Sequence, residues 1–134
     1  MDPEDLVITV SCTECGLTKT VTGTEELCHA LMRRTRPIQD LLPDTEPEIR
    51  EMFISGWCDT CYKLNTSIFT DRALSAVWER AEELGLSDEK GSQRQLRDLF
   101  RQLELSGSDR KKADELRRYV KEVWERMMEG EYDD

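Results

Sequence analysis

The apolar positions open at strand spacing and pass to helical spacing after residue 24. Leu6-Val7-Ile8-Thr9-Val10 is short and β-branched and predicts a strand. Leu17-Thr18-Lys19-Thr20-Val21 predicts its hairpin partner, with Cys12-Thr13-Glu14-Cys15-Gly16 as the turn. Thr22-Gly23-Thr24-Glu25 matches a capping box, a threonine cap with a glutamate three residues on. A helix is expected from there to about Arg34, with Leu27, Cys28, Ala30 and Leu31 on its apolar face. Pro37 interrupts. A short piece, Ile38 to Leu42, ends at Pro43. Glu46-Pro47-Glu48 restarts a helix with proline in its first turn, carrying Ile49, Met52 and Phe53 and stopping near Gly56. Past Cys58-Asp59-Thr60-Cys61 an extended stretch is expected up to Phe69.

From Thr70 the pattern is helical throughout. Thr70 caps a helix through Leu84 that Gly85 closes, with Ala73, Leu74, Val77, Trp78, Ala81 and Leu84 along one stripe. Ser92-Gln93-Arg94-Gln95 is a second capping box, and Leu96, Leu99, Phe100 and Leu103 face inward behind it. Ser106-Gly107-Ser108 is a break. The last helix is expected from about Asp109 to Glu129. Its Ala113, Leu116, Val120, Val123 and Met127 alternate spacings of three and four, a seam that packs on another helix. Gly130 to Asp134 reads as a frayed acidic tail. No internal repeat or low-complexity tract interrupts the pattern.

Composition narrows the function classes. At 134 residues the chain is of single-domain size, with 36 % charged residues and a net charge of −10. That charge disfavours general duplex binding, in which cations displace counterions from phosphate, and suits docking on a basic protein surface. Met1-Asp2-Pro3-Glu4-Asp5 is acidic where a secretory signal needs positive charge. No apolar run reaches the ~20 residues that span a bilayer. A cytoplasmic protein without a membrane partner is therefore expected, in a compartment where cysteine pairs serve as metal ligands or redox groups more often than as structural disulfides.

Five cysteines are present, four of them in two C-x-x-C pairs, Cys12/Cys15 and Cys58/Cys61. A C-x-x-C turn points two sulfurs the same way, and two such turns complete the tetrahedral shell that zinc prefers. Gly16 follows the first pair and can take the left-handed conformation that closes such a knuckle. The second pair lacks a trailing glycine. The pattern predicts a structural zinc site on Cys12, Cys15, Cys58 and Cys61. A catalytic zinc keeps one position open for water, which four thiolates would fill. A thioredoxin-like redox pair calls for one C-x-x-C beside a βαβ pattern, and four thiols without a shared role remain the bland alternative. Cys28 falls on a helix stripe and reads as a small buried residue. His29, the single histidine, could replace a cysteine ligand, but both pairs are complete and it reads as a surface residue.

These two pairs resemble the zinc-ribbon group, in which two cysteine knuckles clamp one metal between hairpins. The resemblance covers residues 6 to 69. The usual signature separates the pairs by roughly 15–20 residues, whereas 42 lie between Cys15 and Cys58, so residues 24–55 are expected as a helical insertion. "FISGWCDTCY" is similar to the second knuckle of small zinc proteins carried by bacteria and their phages. The expected fold class is α+β, mostly α: residues 1–69 a zinc-ribbon-like β module with its insertion, and residues 70–134 a three-helix region with an acidic tail.

The charges of the helical part add a candidate surface. Residues 90–121 contain ten basic and five acidic side chains, a local excess of +5. Arg94, Arg97 and Arg101 share a helix face, and with Arg110 and Arg117 they are candidate contacts for nucleic acid or an acidic partner. The solvated-face alternative rests on pairs four apart, such as Lys111–Glu115, Asp114–Arg118 and Glu122–Arg126, each adding a few tenths of a kcal/mol. Phe100 and Tyr119 sit on or beside apolar faces, so no base-stacking platform is evident. Trp124, Met127 and Met128 border the seam and could pack in the core, form a homodimer, or dock into a partner groove. The expected function is a non-enzymatic, zinc-stabilised regulatory or adaptor protein that binds a protein partner. By resemblance it is a phage-type regulator of transcription or of a nucleic-acid-processing complex. The alternatives are a nucleic-acid-binding protein using the Arg94/Arg97/Arg101 face and a thiol oxidoreductase.

Overall fold

The computed structural model describes residues 6–107 and 110–132. Among these the chain forms β1 (Leu6–Ser11), β2 (Thr18–Gly23), α1 (Glu25–Arg33), α2 (Ile38–Leu41), α3 (Pro47–Ser55), α4 (Asp59–Thr66), α5 (Asp71–Glu83), α6 (Gln93–Ser106) and α7 (Arg110–Met128). The fold is α+β and mostly α. It divides into two units: residues up to 13 with 17–59, and residues 14–16 with those from 60 onward.

The first unit is built on the expected hairpin. β1 and β2 pair antiparallel, with Leu6 opposite Gly23, Ile8 opposite Val21 and Ser11 opposite Thr18. Alternation puts Leu6, Ile8 and Val10 on one face and leaves Val7 exposed on the other. Ile8 and Val21 pack with Leu27, Leu41 and Phe53 against the buried Leu31, Ile38 and Leu42. The two helices expected between the cysteine pairs are present as α1 and α3, and the short piece between the prolines forms the one-turn helix α2. The cap of α1 differs: Thr24, not Thr22, accepts the hydrogen bond from the Leu27 amide at 3.1 Å. Thr22 is held in the β2 ladder, which denies it the role. Arg34 ends α1 at φ 51° and donates to the carbonyl of Phe53 at 2.7 Å.

In the second unit α7 packs against both α5 and α6. All five expected seam residues, Ala113, Leu116, Val120, Val123 and Met127, are buried. They share the interior with Ala73, Val77, Trp78, Ala81, Leu96 and Phe100. Thr70 caps α5, and Ser92 with Gln95 forms the complete capping box of α6. Ser108 and Asp109, assigned above to a break and a helix start, lie outside the described residues. The tail is tied down as far as Tyr132, whose carbonyl accepts from the Thr70 hydroxyl at 3.1 Å, while Arg126 pairs with Glu131 at 3.4 Å.

The extended stretch expected after Cys61 is instead helix α4. Its sequence, Asp59 to Thr66, has an acid in the first turn and buries Cys61 and Leu64 three apart, which is helical spacing. Gln93, the first residue of α6, ties down the end of this helix. Its amide donates to the carbonyls of Leu64 and Ser67 at 2.8 and 2.7 Å, and its oxygen accepts from the Phe69 amide at 3.0 Å. It thereby satisfies backbone groups that the end of a helix leaves orphaned. Gln93→Ala strands them and is expected to destabilise the protein by about 1–3 kcal/mol, read as a lower urea midpoint. Gln93→Glu, which sets a carboxylate oxygen against the same two carbonyls and has no donor, should recover none of the loss.

Candidate metal centre

Cys12 follows β1 directly, and its amide donates to the carbonyl of Leu17 at 2.8 Å, closing the hairpin loop. Cys15 precedes Gly16, which takes φ 86°, the left-handed turn expected of a first knuckle. Thr13, inside that knuckle, donates twice to the carbonyl of Gly56, from its amide at 2.8 Å and its hydroxyl at 3.1 Å. Gly56 ends α3 at φ 82°. A Cβ there would meet Thr13 Cγ2 at an ordinary 3.6 Å, so glycine is needed for the torsion, not for space. These bonds hold the first knuckle to the turn that delivers the second.

The second knuckle has a different construction. Cys58 immediately precedes α4, and Cys61 is the third residue of that helix. The helical turn does what a trailing glycine does in the first knuckle: it brings both sulfurs to one side. The amino end of a helix also carries partial positive charge, which favours thiolate over thiol. The extended stretch expected after the second pair in this zinc-ribbon-like module is absent; α4 stands there.

The four Sγ atoms lie within 4.8 Å of one another, and all four cysteines are buried at 0–2 % exposure. A Zn–S bond of about 2.3 Å implies sulfur–sulfur edges of about 3.8 Å in a tetrahedron, so the cluster has the size of a tetrathiolate site. Four soft donors without a carboxylate are the ligand set of zinc or an iron–sulfur centre rather than of calcium or magnesium. Cys28 stays half-buried on α1, outside the cluster. His29 is exposed and faces Glu25 at 3.8 Å, as a surface histidine would.

Of the five candidate contact arginines, three form a set. Arg94, Arg97 and Arg101 line one notch of about 210 Å³ together with Asp98 and with Glu14 of the first knuckle. Arg97 donates to the side-chain oxygen of Asn65, whose amide donates to the Cys61 carbonyl at 2.8 Å. Arg110 is exposed at the start of α7. Arg117 does not belong to this surface. It is buried, with Nη2 3.6 Å from Cys15 Sγ and Nη1 3.1 Å from Glu104 and 3.5 Å from Asp114. Its guanidinium lies over the Phe100 ring at 5.1 Å.

The expected partner-helix surface is mostly interior. Met127 is buried, Trp124 is half-buried with its indole donating to Ser67 Oγ at 2.9 Å, and Lys63 sits over its ring at 4.8 Å. Only Met128 of the three is exposed. The sequence carried one overlooked sign of Arg117's position: it lies four residues after Ala113 and three before Val120, on the seam. Thr13, Gly56 and Asn65 carried none, since their partners are 43 or 32 residues away. No protein-family model, curated protein or solved structure matches the chain. Among the described residues no helix is long and apolar enough to cross a membrane.

Proposed function

We propose that the protein is a non-enzymatic binding protein in which a zinc ion on Cys12, Cys15, Cys58 and Cys61 is structural. The observation that carries this reading is the convergence of four buried sulfurs within 4.8 Å. Four thiolates fill a tetrahedral shell and leave no position for a reacting water. The ion would be scaffolding for two knuckles of unlike construction, a zinc-ribbon-like arrangement with a helix in place of the second hairpin. The working surface in this reading is the face of α6 bearing Arg94, Arg97 and Arg101 beside Glu14, and its occupant is an acidic protein partner. A regulator of transcription or of a nucleic-acid-processing complex accords with the zinc-ribbon likeness and the acidic charge. Elemental analysis of protein prepared without added metal tests the foundation: one zinc per chain is expected, and none would end the reading.

The shared arginine notch favours one second reading, direct binding of nucleic acid. Glu14 and Asp98 in the same notch and the net charge of −10 weigh against it. Fluorescence anisotropy with mixed-sequence single- and double-stranded probes should show no binding at low salt. Binding that weakens with salt, at a log–log slope of about −0.7 to −0.9 per phosphate contact, and that Arg97→Ala abolishes, would transfer the function to nucleic acid.

A further inference from the structure

Arg117 is the most buried arginine among the described residues, at 8 % exposure. We infer that Arg117 is the counter-cation of the sulfur cluster, a positioning residue that donates to Cys15, strengthens metal binding and shields that sulfur from electrophiles. The inference rests on the tetrathiolate reading above.

Charge balance motivates it. Four thiolates and one divalent ion sum to −2, and net charge in a buried site is costly unless compensated by nearby charge and hydrogen bonds. Glu104 balances Arg117 in the overall total, so the compensation is local, by a cation in contact with both Cys15 and that carboxylate. Arg117 brings a permanent positive charge with several donors in a fixed fork. One branch, Nη2, is directed at Cys15 Sγ at 3.6 Å, a distance suited to the large sulfur acceptor; the other, Nη1, meets Glu104 at 3.1 Å. Glu104 is itself nine-tenths buried, and Asp114 supports the same nitrogen from the half-exposed edge. Phe100 beneath the guanidinium fixes its plane. A core ion pair alone would need only the Glu104 branch. The second branch reaches a metal ligand, and partners of that kind are worth roughly 10–100-fold in metal affinity. Donation to Cys15 also draws electron density from that sulfur, which lowers its nucleophilicity relative to the other three.

The test separates this role from the core ion pair. In the full chain, Glu104→Gln leaves Arg117 on Cys15, and the double variant Arg117→Met, Glu104→Gln removes both buried charges together. Zinc affinity is measured by chelator competition. The order in which the four cysteines react with iodoacetamide is read by mass spectrometry. Glu104→Gln should keep Cys15 among the slowest to react. The double variant should lose roughly 10–100-fold in zinc affinity and make Cys15 the fastest. Unchanged affinity with an unchanged order overturns the inference while leaving the zinc reading intact; wild-type protein without zinc defeats the zinc reading itself, before any variant is made. If the double variant does not fold, wild-type protein loaded with cadmium-113 decides. Scalar coupling from the metal to an Arg117 Nη proton is expected, and freely averaging Nη signals without coupling overturn the inference.

Discussion

Cys61→Ser, or removal of the metal by a strong chelator, is expected to unfold the region around the cysteine pairs. Structural zinc contributes on the order of 10–16 kcal/mol of binding free energy at neutral pH, and that binding energy is folding energy. An ordinary domain of this size holds only about 5–15 kcal/mol in total. Loss of the ion therefore outweighs the margin left by an apolar core as small as Leu31, Ile38 and Leu42 with their half-buried neighbours. A serine hydroxyl does not ionise near neutral pH and cannot replace a thiolate. Far-ultraviolet circular dichroism should lose helical signal on chelation and regain it on adding zinc; Cys61→Ser should not regain it. Because protons compete with the metal for sulfur, the same loss should follow acidification. Cys28→Ser, which alters the one cysteine outside the cluster, should bind one zinc and melt as wild type does. A chelated protein with an unaltered spectrum and thermal transition would show that the sulfurs hold nothing the fold needs.

Phe100→Ala should be the most damaging single change among the apolar residues of the second unit. Its ring is fully buried where α6 packs on α7, and large-to-small changes at such a site cost about 3–5 kcal/mol because the cavity collapses only in part. The ring also supports the Arg117 guanidinium at 5.1 Å, so the variant should release zinc faster than wild type as well as unfold at lower urea. Leu105→Ala provides the control on the same helix: with 79 % of its surface exposed, it should stay within about 0.5 kcal/mol of wild type. A Phe100→Ala midpoint close to that of Leu105→Ala would mean that α6 is not packed as described.

The two predictions differ in how visible their residues were beforehand. The cysteine quartet could be read from spacing, because a redox role calls for one C-x-x-C beside a βαβ pattern, whereas two such turns together make up a four-sulfur shell. Phe100 could be read from period, because Leu96, Leu99, Phe100 and Leu103 recur at helical spacing behind an explicit capping box. Both signals are local. Arg117 shows where local signals stop. Its type placed it among surface cations, and only the convergence of Glu104, Cys15 and Phe100 on one point makes a buried arginine tolerable.

The chain by itself determined the β1–β2 hairpin, the helices of the insertion, the stripes of α5, α6 and α7, and which four sulfurs belong together, since each follows from side-chain period, a capping residue or ligand spacing within a short window. The tertiary structure alone decided that the second knuckle opens a helix instead of a strand. There Cys61 and Leu64, three apart on α4, gain more from a shared buried face than the β-branched Thr66 and Ile68 gain from extension. It alone decided that Thr13 bonds Gly56, that Asn65 links Arg97 to the Cys61 carbonyl, and that Arg117 turns inward to sulfur. Apart from the Asn65–Cys61 bond within α4, these bonds join residues 32 to 102 positions apart, and a hydrogen bond between distant residues leaves no periodicity in the sequence to mark it.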